Sequence, residues 1–258
     1  MTLQSKVVVI TGASSGIGAV AAKMLSERGA TVILTARSLN KLEEVGTQLP
    51  GLHKLLQLDV TDDNMVSSVF AQIYEEFGVV DALINNAGYG VFEYCEQTSI
   101  HEFEAMMNVN YLGMVRCTKA VLPHMKDARR GRIINIASIA GKIGTSKSTA
   151  YTATKHAVLG FSNALRQEVR PYGITVSSIN PGPIDTPFFD IADPTGHYVK
   201  NVKWFMLKPE VVAKAMVRAV ETGKPEINLP RIAGVGAKLY QLFPRIADAV
   251  SYKMLNKK

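Results

Sequence analysis

Tyr151 and Lys155 stand four residues apart in a helical stretch, so they share one face. A phenol that titrates near 10 is a poor base at neutral pH. Bringing it near 7 takes about three units, or ~4 kcal/mol of differential stabilisation, and a neighbouring ammonium supplies part of that. The chemistry implied is proton transfer to or from an oxygen. Alone, the pair is a weak signal, because about 0.6 such pairs are expected by chance in a chain of this composition. Ser138 adds weight. It directly follows a strand-like run, residues 133–137, and so does Asn85-Asn86-Ala87-Gly88 after residues 80–84. In an open parallel sheet, ligands bind beyond the carboxyl ends of the strands.

A second constellation points to an anion. Val7-Val8-Val9-Ile10 leads into Thr11-Gly12-Ala13-Ser14-Ser15-Gly16-Ile17-Gly18, and a helical pattern follows. A strand feeding a glycine turn at a helix N-terminus presents free N–H groups to a pyrophosphate, and glycine lets the backbone come close. Gly16, Gly18 and Ala21 also match the G-x-G-x-x-A fingerprint, but that frame lies too far beyond the strand. Gly12 is therefore read as the tight-turn residue. The reading is a dinucleotide site on this turn.

The second strand chooses between dinucleotides. An NAD site ends that strand with an acid for the ribose 2′-hydroxyl. Here the position reads Thr35-Ala36-Arg37-Ser38. The acid is missing. Arg37 can pair with a 2′-phosphate through its planar fork, and Ser38 can add a hydroxyl, so the cofactor expected is NADP(H).

These residues need a scaffold that brings strand ends together. Apolar runs at 7–10, 31–34, 55–58, 80–84, 132–136 and 174–179 do not alternate, as in strands buried on both faces, and 227–229 could be a last short strand. Helical patterns separate them, with Thr61 a candidate cap and long stretches near 101–125 and 149–170. The expected fold is α/β: a doubly wound, Rossmann-type parallel sheet of about seven strands with helices on both faces. Gly12, Arg37, Asn86 and Ser138 then fall at successive strand ends on one edge. Pro181, Pro183, Pro187 and Pro194 make 180–195 a functional loop, not a regular connection. Helical spacing returns at 210–220, and again from Val235 through Leu239, Leu242, Phe243, Ile246 and Val250 to Met254, kinked or split at Pro244.

With 258 residues, 47% hydrophobic and 20% charged, the chain is an ordinary globular one, read as a single domain over 1–258. The net charge of +7 permits an anionic ligand but requires no nucleic acid, and Arg129-Arg130-Gly131-Arg132 is read as a solvated turn. Two cysteines and five histidines without ligand spacing exclude a disulfide scaffold and give no metal site. A reducing, cytoplasmic setting is expected, with no signal peptide and no spanning segment.

Taken together, Thr11-Gly-x3-Gly-x-Gly18, Asn85-Asn-Ala-Gly88, Asn110, Ser138, Tyr151-x3-Lys155 and Pro181-Gly182 resemble the short-chain dehydrogenase/reductase family in its compact form, over about 6–225. The resemblance implies a catalytic set. Tyr151 would be general acid and base, Lys155 would lower its pKa and bind the nicotinamide ribose, Ser138 would hold the reacting oxygen, and Asn110 would position a relay water. It also implies cofactor contacts from Gly12, Ser14, Ser15, Gly16, Ile17, Gly18, Asp59, Val60, Asn86, Ala87 and Gly88, with Pro181, Gly182, Ile184 and Thr186 flanking the nicotinamide. The implied reaction moves a hydride between NADPH and a carbonyl or secondary alcohol.

The segment about 188–206 is the implied substrate lid. Its Phe188, Phe189, Tyr198, Trp204, Phe205 and Met206 favour an apolar or aromatic carbonyl, while Lys200 and Lys203 are read as a solvated face. Bacterial 3-oxoacyl-ACP reductases look similar over the first 190 residues. They close with a Gly-Gly strand, where this chain has Glu226-Ile227-Asn228-Leu229-Pro230 and an amphipathic extension over about 230–258. That tail is more like the hydroxysteroid-dehydrogenase-like reductases, and a homodimer is expected, with a tetramer as the alternative. The tail either packs on protein or, with Lys238, Arg245, Lys253, Lys257 and Lys258, makes a weak peripheral membrane contact. Rival readings are a non-catalytic NADP-binding regulatory protein, a 3-oxoacyl-ACP reductase-like role and a nucleotide-sugar epimerase, whose turn would be Gly-x2-Gly-x2-Gly.

Overall fold

Buried apolar runs become the sheet. The computed structural model describes residues 1–245. Seven strands, β1 (Val7–Thr11), β2 (Thr31–Ala36), β3 (His53–Gln57), β4 (Ala82–Asn85), β5 (Gly131–Ile136), β6 (Ile174–Pro181) and β7 (Glu226–Leu229), pair in the order β3-β2-β1-β4-β5-β6-β7. Every pairing is parallel. Helices α1 (Gly16–Ser26), α2 (Leu39–Gly46) and α9 (Pro209–Thr222) supply one apolar layer. Helices α3 (Asp63–Phe77), α5 (Met114–Asp127) and α6 (Thr149–Val169) supply the other. Val8 and Ile10 enter the first layer and Val7 and Val9 the second, which explains why the run is uniformly apolar. The strand order reverses between β1 and β4, the point at which sheets of this kind bind their ligands.

Three local expectations are corrected. Thr61 does not cap α3. Its amide and hydroxyl turn back onto Asp59 Oδ1 at 2.9 and 2.7 Å, and Asp62 caps instead by accepting from the Met65 amide at 2.9 Å. A carboxylate one residue nearer the helix is the stronger acceptor. The stretch at 101–125 is not one regular helix. Helix α4 (Ile100–Met107) passes into a π-helical turn, Asn108–Gly113, before α5 begins. The wider turn accommodates β3's exit: a Cβ on Gly113 would lie 2.6 Å from Val60 Cγ2. Such π-turns are frequent at functional sites.

The proline-rich segment is the third. It contains α7 (Phe188–Ala192), followed by α8 (His197–Val202) and a 3-10 turn, Lys203–Phe205. The prolines punctuate here rather than prevent helix, since Pro187 precedes the first turn of α7 and Pro194 follows its end. At the tail, α10 (Arg231–Leu242) stops two residues before Pro244, as that ring requires. Ile246, Val250, Met254, Lys253, Lys257 and Lys258 lie outside the described residues. Among those described, no helix is long and apolar enough to cross a membrane.

Candidate active site

The glycine turn is held from the neighbouring strand. Gly12 and Gly16 adopt left-handed backbone, with φ of +66° and +56°. The Asn86 side-chain amide, just past β4, donates to the carbonyls of Thr11 and Gly12 at 3.0 and 2.9 Å. Thr11 Oγ1 in return accepts from the amides of Asn86 and Ala87 at 3.0 and 3.1 Å. Side chains at the glycines would fill this space. A Cβ on Gly12 would sit 2.7 Å from Ala87 Cα, and one on Gly18 would sit 2.6 Å from Asn86 Nδ2. Gly12→Ala is therefore expected to strain the turn by about 1–2 kcal/mol from its left-handed backbone alone, before the clash is added. Thermal unfolding and dinucleotide titration check this, with lower Tm and at least about tenfold weaker binding expected. Ser15 caps α1 only through its backbone, and Ser14 and Ile17 are partly exposed along the same turn.

Arg37 leaves the end of β2 exposed to solvent, and its carbonyl accepts from Gln57 Nε2 at 2.9 Å. Ser38 caps α2, accepting from the Lys41 amide at 3.4 Å. At the end of β3, Asp59 is partly buried and Val60 buried. Thus the glycine turn, Arg37, Ser38, Asp59, Val60 and Asn86 all lie beyond the carboxyl ends of β1 to β4.

Tyr151 and Lys155 project from one face of α6 towards Ser138, which follows β5. Lys155 Nζ donates to the Ile136 carbonyl at 2.9 Å and lies 5.6 Å from the centre of the Tyr151 ring. Burial lowers the Lys155 ammonium to about 8. Burial pushes the Tyr151 phenol up to about 12, and a hydrogen bond with Ser138 opposes that rise. The Ser138 hydroxyl also meets the Pro181 carbonyl at 3.3 Å and accepts from the Ala140 amide at 3.1 Å. Asn110 stands in the π-turn, buried. Its amide nitrogen donates to the Tyr89 carbonyl at 2.8 Å and to Thr154 Oγ1 at 3.1 Å, while its oxygen accepts from the Tyr89 amide at 2.9 Å. Both amide protons are therefore engaged. The side chain clamps residue 89 to α6.

Gly88 links the two halves. A Cβ there would meet Asn110 Oδ1 at 2.9 Å and Lys155 Nζ at 3.8 Å. On the opposite side, Gly182 donates to the Leu229 carbonyl at 2.7 Å, and Ile184 bridges to Leu207. The Thr186 methyl lies 3.6 Å from where a Gly16 Cβ would be, so this segment closes over the glycine turn. Beneath the site, Asn85 donates to Thr118 and Asn135 at 3.1 and 2.9 Å, and Asn135 donates to Ser162 at 2.8 Å. This buried polar chain ties β4 and β5 to α5 and α6, the elements that carry the reactive groups.

Aromatic rings wall the mouth. Phe188 lies 5.7 Å from Tyr151, and Phe189 and Tyr198 pack behind it. Phe92 is central to the cluster, 6.0 Å from Tyr151 and 5.2 Å from Tyr198, and was missed in the sequence. Its signal was its place, four residues beyond Gly88 on the same strand edge. Trp204 and Phe205 do not join the wall. Trp204 is 81% exposed.

Proton linkage gives a test of the buried pair. For Lys155 the unfolded chain binds the proton up to about 10.5 and the folded chain only to about 8, so stability rises with pH across that window. The rise is about 3 kcal/mol. Tyr151 has the opposite sign: its phenol is raised, so its contribution is lost as pH climbs from 10 to about 12. Urea unfolding from pH 7 to 10 is expected to show the rising limb in the wild type and a flat one in Lys155→Met.

Residues 6–195 match the family model described as short chain dehydrogenase. A 3-ketodihydrosphingosine reductase of Bacteroides thetaiotaomicron is 40% identical over 215 residues, 82% of this chain and 77% of that protein. A 3-oxoacyl-[acyl-carrier-protein] reductase of Vibrio cholerae is 39% identical over 186 residues, 72% of this chain and 76% of that protein. A solved short-chain dehydrogenase from Streptomyces avermitilis superposes with a TM-score of 0.83 at 30% identity, covering 97% of each chain. A match across most of the chain, on this sheet order and this strand-edge site, places the protein in the short-chain dehydrogenase family of oxidoreductases, with the fold that binds a nicotinamide cofactor.

Proposed function

We propose that the protein is an NADPH-dependent reductase of apolar ketones or aldehydes. The observation that carries this is Tyr151: bonded to Ser138, beside the Lys155 ammonium, and under the wall of Phe92 and Phe188. The turn that Gly12 and Gly16 carry through left-handed backbone into the N-terminus of α1 fits a pyrophosphate, and Arg37 with Ser38 fits a 2′-phosphate. When bound, the reduced nicotinamide supplies the hydride.

The chain's own groups do the rest. Ser138 hydrogen-bonds the carbonyl oxygen and fixes it against Tyr151. The raised pKa of Tyr151 keeps it protonated at neutral pH, so it donates the phenolic proton to the oxygen that gains negative charge. Lys155, still mostly protonated at pH 7, stabilises the phenolate left behind. The aromatic wall excludes water and receives the apolar flank of the substrate. Two relatives named as reductases of 3-keto and 3-oxo compounds support a ketone as the substrate.

Consumption of NADPH and of NADH against a panel of ketones, aldehydes and diketones tests the proposal. Turnover that favours NADPH and apolar ketones is expected. Tight NADPH binding with no turnover on any carbonyl would move the protein to the non-catalytic class.

A further inference from the structure

Helix α10 shows an apolar face to solvent. Gly234 and Ala237 are buried on its inner side, and a Cβ on Gly234 would lie 2.7 Å from the Asn228 side chain of β7. On the outer side, Ile232, Val235, Leu239 and Leu242 recur at helical spacing with exposures of 77, 58, 55 and 70%, and Phe243 follows at 56%. Twelve residues of helix are about 18 Å long, so this stripe is continuous over the whole element. A globular surface rarely leaves such a stripe uncovered without a partner.

Charge identifies the partner. Residues 227–247 contain no acidic side chain. Arg231 and Lys238, seven apart, line one flank of the stripe, and Arg245 follows. Beside the helix, α9, β7 and α10 enclose a cleft of about 390 Å³ lined by Lys214, Arg218, Lys224 and Arg231. None of these four pairs with an acid among the described residues, and Glu226 in the same cleft is bound by Lys142 and Asn228. A second copy of the chain, meeting this face about a twofold axis, would set these cations against one another. An anionic surface with an apolar interior matches both the stripe and its flank.

We infer that α10 docks the protein in the plane of an anionic phospholipid bilayer, with its apolar stripe in the acyl boundary and the basic cleft facing headgroup phosphates. The helix abuts β7 and the turn after Ser138, so docking sets the reactive edge of the sheet close to the bilayer. This stands apart from the proposed reaction, because lipid docking and turnover on a water-soluble ketone are separate measurements.

Flotation of the full chain with phosphatidylcholine vesicles, with and without phosphatidylglycerol, tests the inference. Binding is expected to the phosphatidylglycerol vesicles only. Each basic residue near such a surface strengthens binding about fivefold, so Arg231→Glu/Lys238→Glu should weaken it by at least about tenfold. Leu239→Glu/Leu242→Glu should abolish it and leave thermal unfolding nearly unchanged, since both side chains are more than half exposed. Three results would overturn the inference: no flotation with phosphatidylglycerol, equal flotation of the leucine variant, or a wild-type dimer that this variant turns into a monomer in sedimentation equilibrium. The last would assign the stripe to a second copy.

Discussion

Tyr151→Phe is expected to lower kcat by about 10²–10⁴-fold while leaving dinucleotide affinity within about threefold of wild type. The substitution removes one oxygen and keeps the ring. Contacts with Phe92 at 6.0 Å and Phe188 at 5.7 Å depend on the ring, so the wall remains in place. Ser138 retains its bond to the Pro181 carbonyl, and Lys155 retains the Ile136 carbonyl. What is lost is the phenol bonded to Ser138, and with it the proton proposed for the new alcohol. Single-turnover absorbance of NADPH, alongside calorimetric titration, separates the chemical step from binding. A variant with more than about a tenth of wild-type kcat would assign the proton to another donor.

Arg37→Ala is expected to weaken NADPH by about 10–100-fold and to leave NADH nearly unchanged. The magnitude follows from one charge-assisted hydrogen-bonded pair, worth about 1.5–3 kcal/mol. Because Arg37 is exposed, its pairing is screened, and the NADPH preference should shrink as salt rises. Titration of both nucleotides at two ionic strengths reads both effects. Equal losses for NADPH and NADH would show that Arg37 supports the loop and does not read the phosphate.

The central strands were legible because they are buried on both faces: the 7–10 run admits no polar side chain, and its two sets of residues fill different layers. The pair Tyr151 and Lys155 was legible because helical spacing alone puts them on one face. The role of Asn86 was not. Sequence places it at a strand end, but only packing shows its amide binding the carbonyls of the glycine turn. Asn110 was nameable through the family resemblance, yet its clamp on residue 89 depends on a π-turn that no local pattern in 101–125 announces. Phe92 was invisible for a related reason. Its neighbours Phe189 and Tyr198 are about a hundred residues away, and nothing short-range records that meeting.

By itself, then, the sequence determined the parallel sheet, the carboxyl edge on which the chemistry must sit, the glycine turn and the spacing of Tyr151 with Lys155. All of these follow from burial pattern and from backbone geometry over a few residues. Tertiary structure alone decided the shifted pKa values of the pair, the aromatic wall, the clamp at Asn110 and the exposed face of α10. Each of those depends on which distant groups surround a side chain or leave it uncovered, and so on desolvation and contact rather than on spacing along the chain.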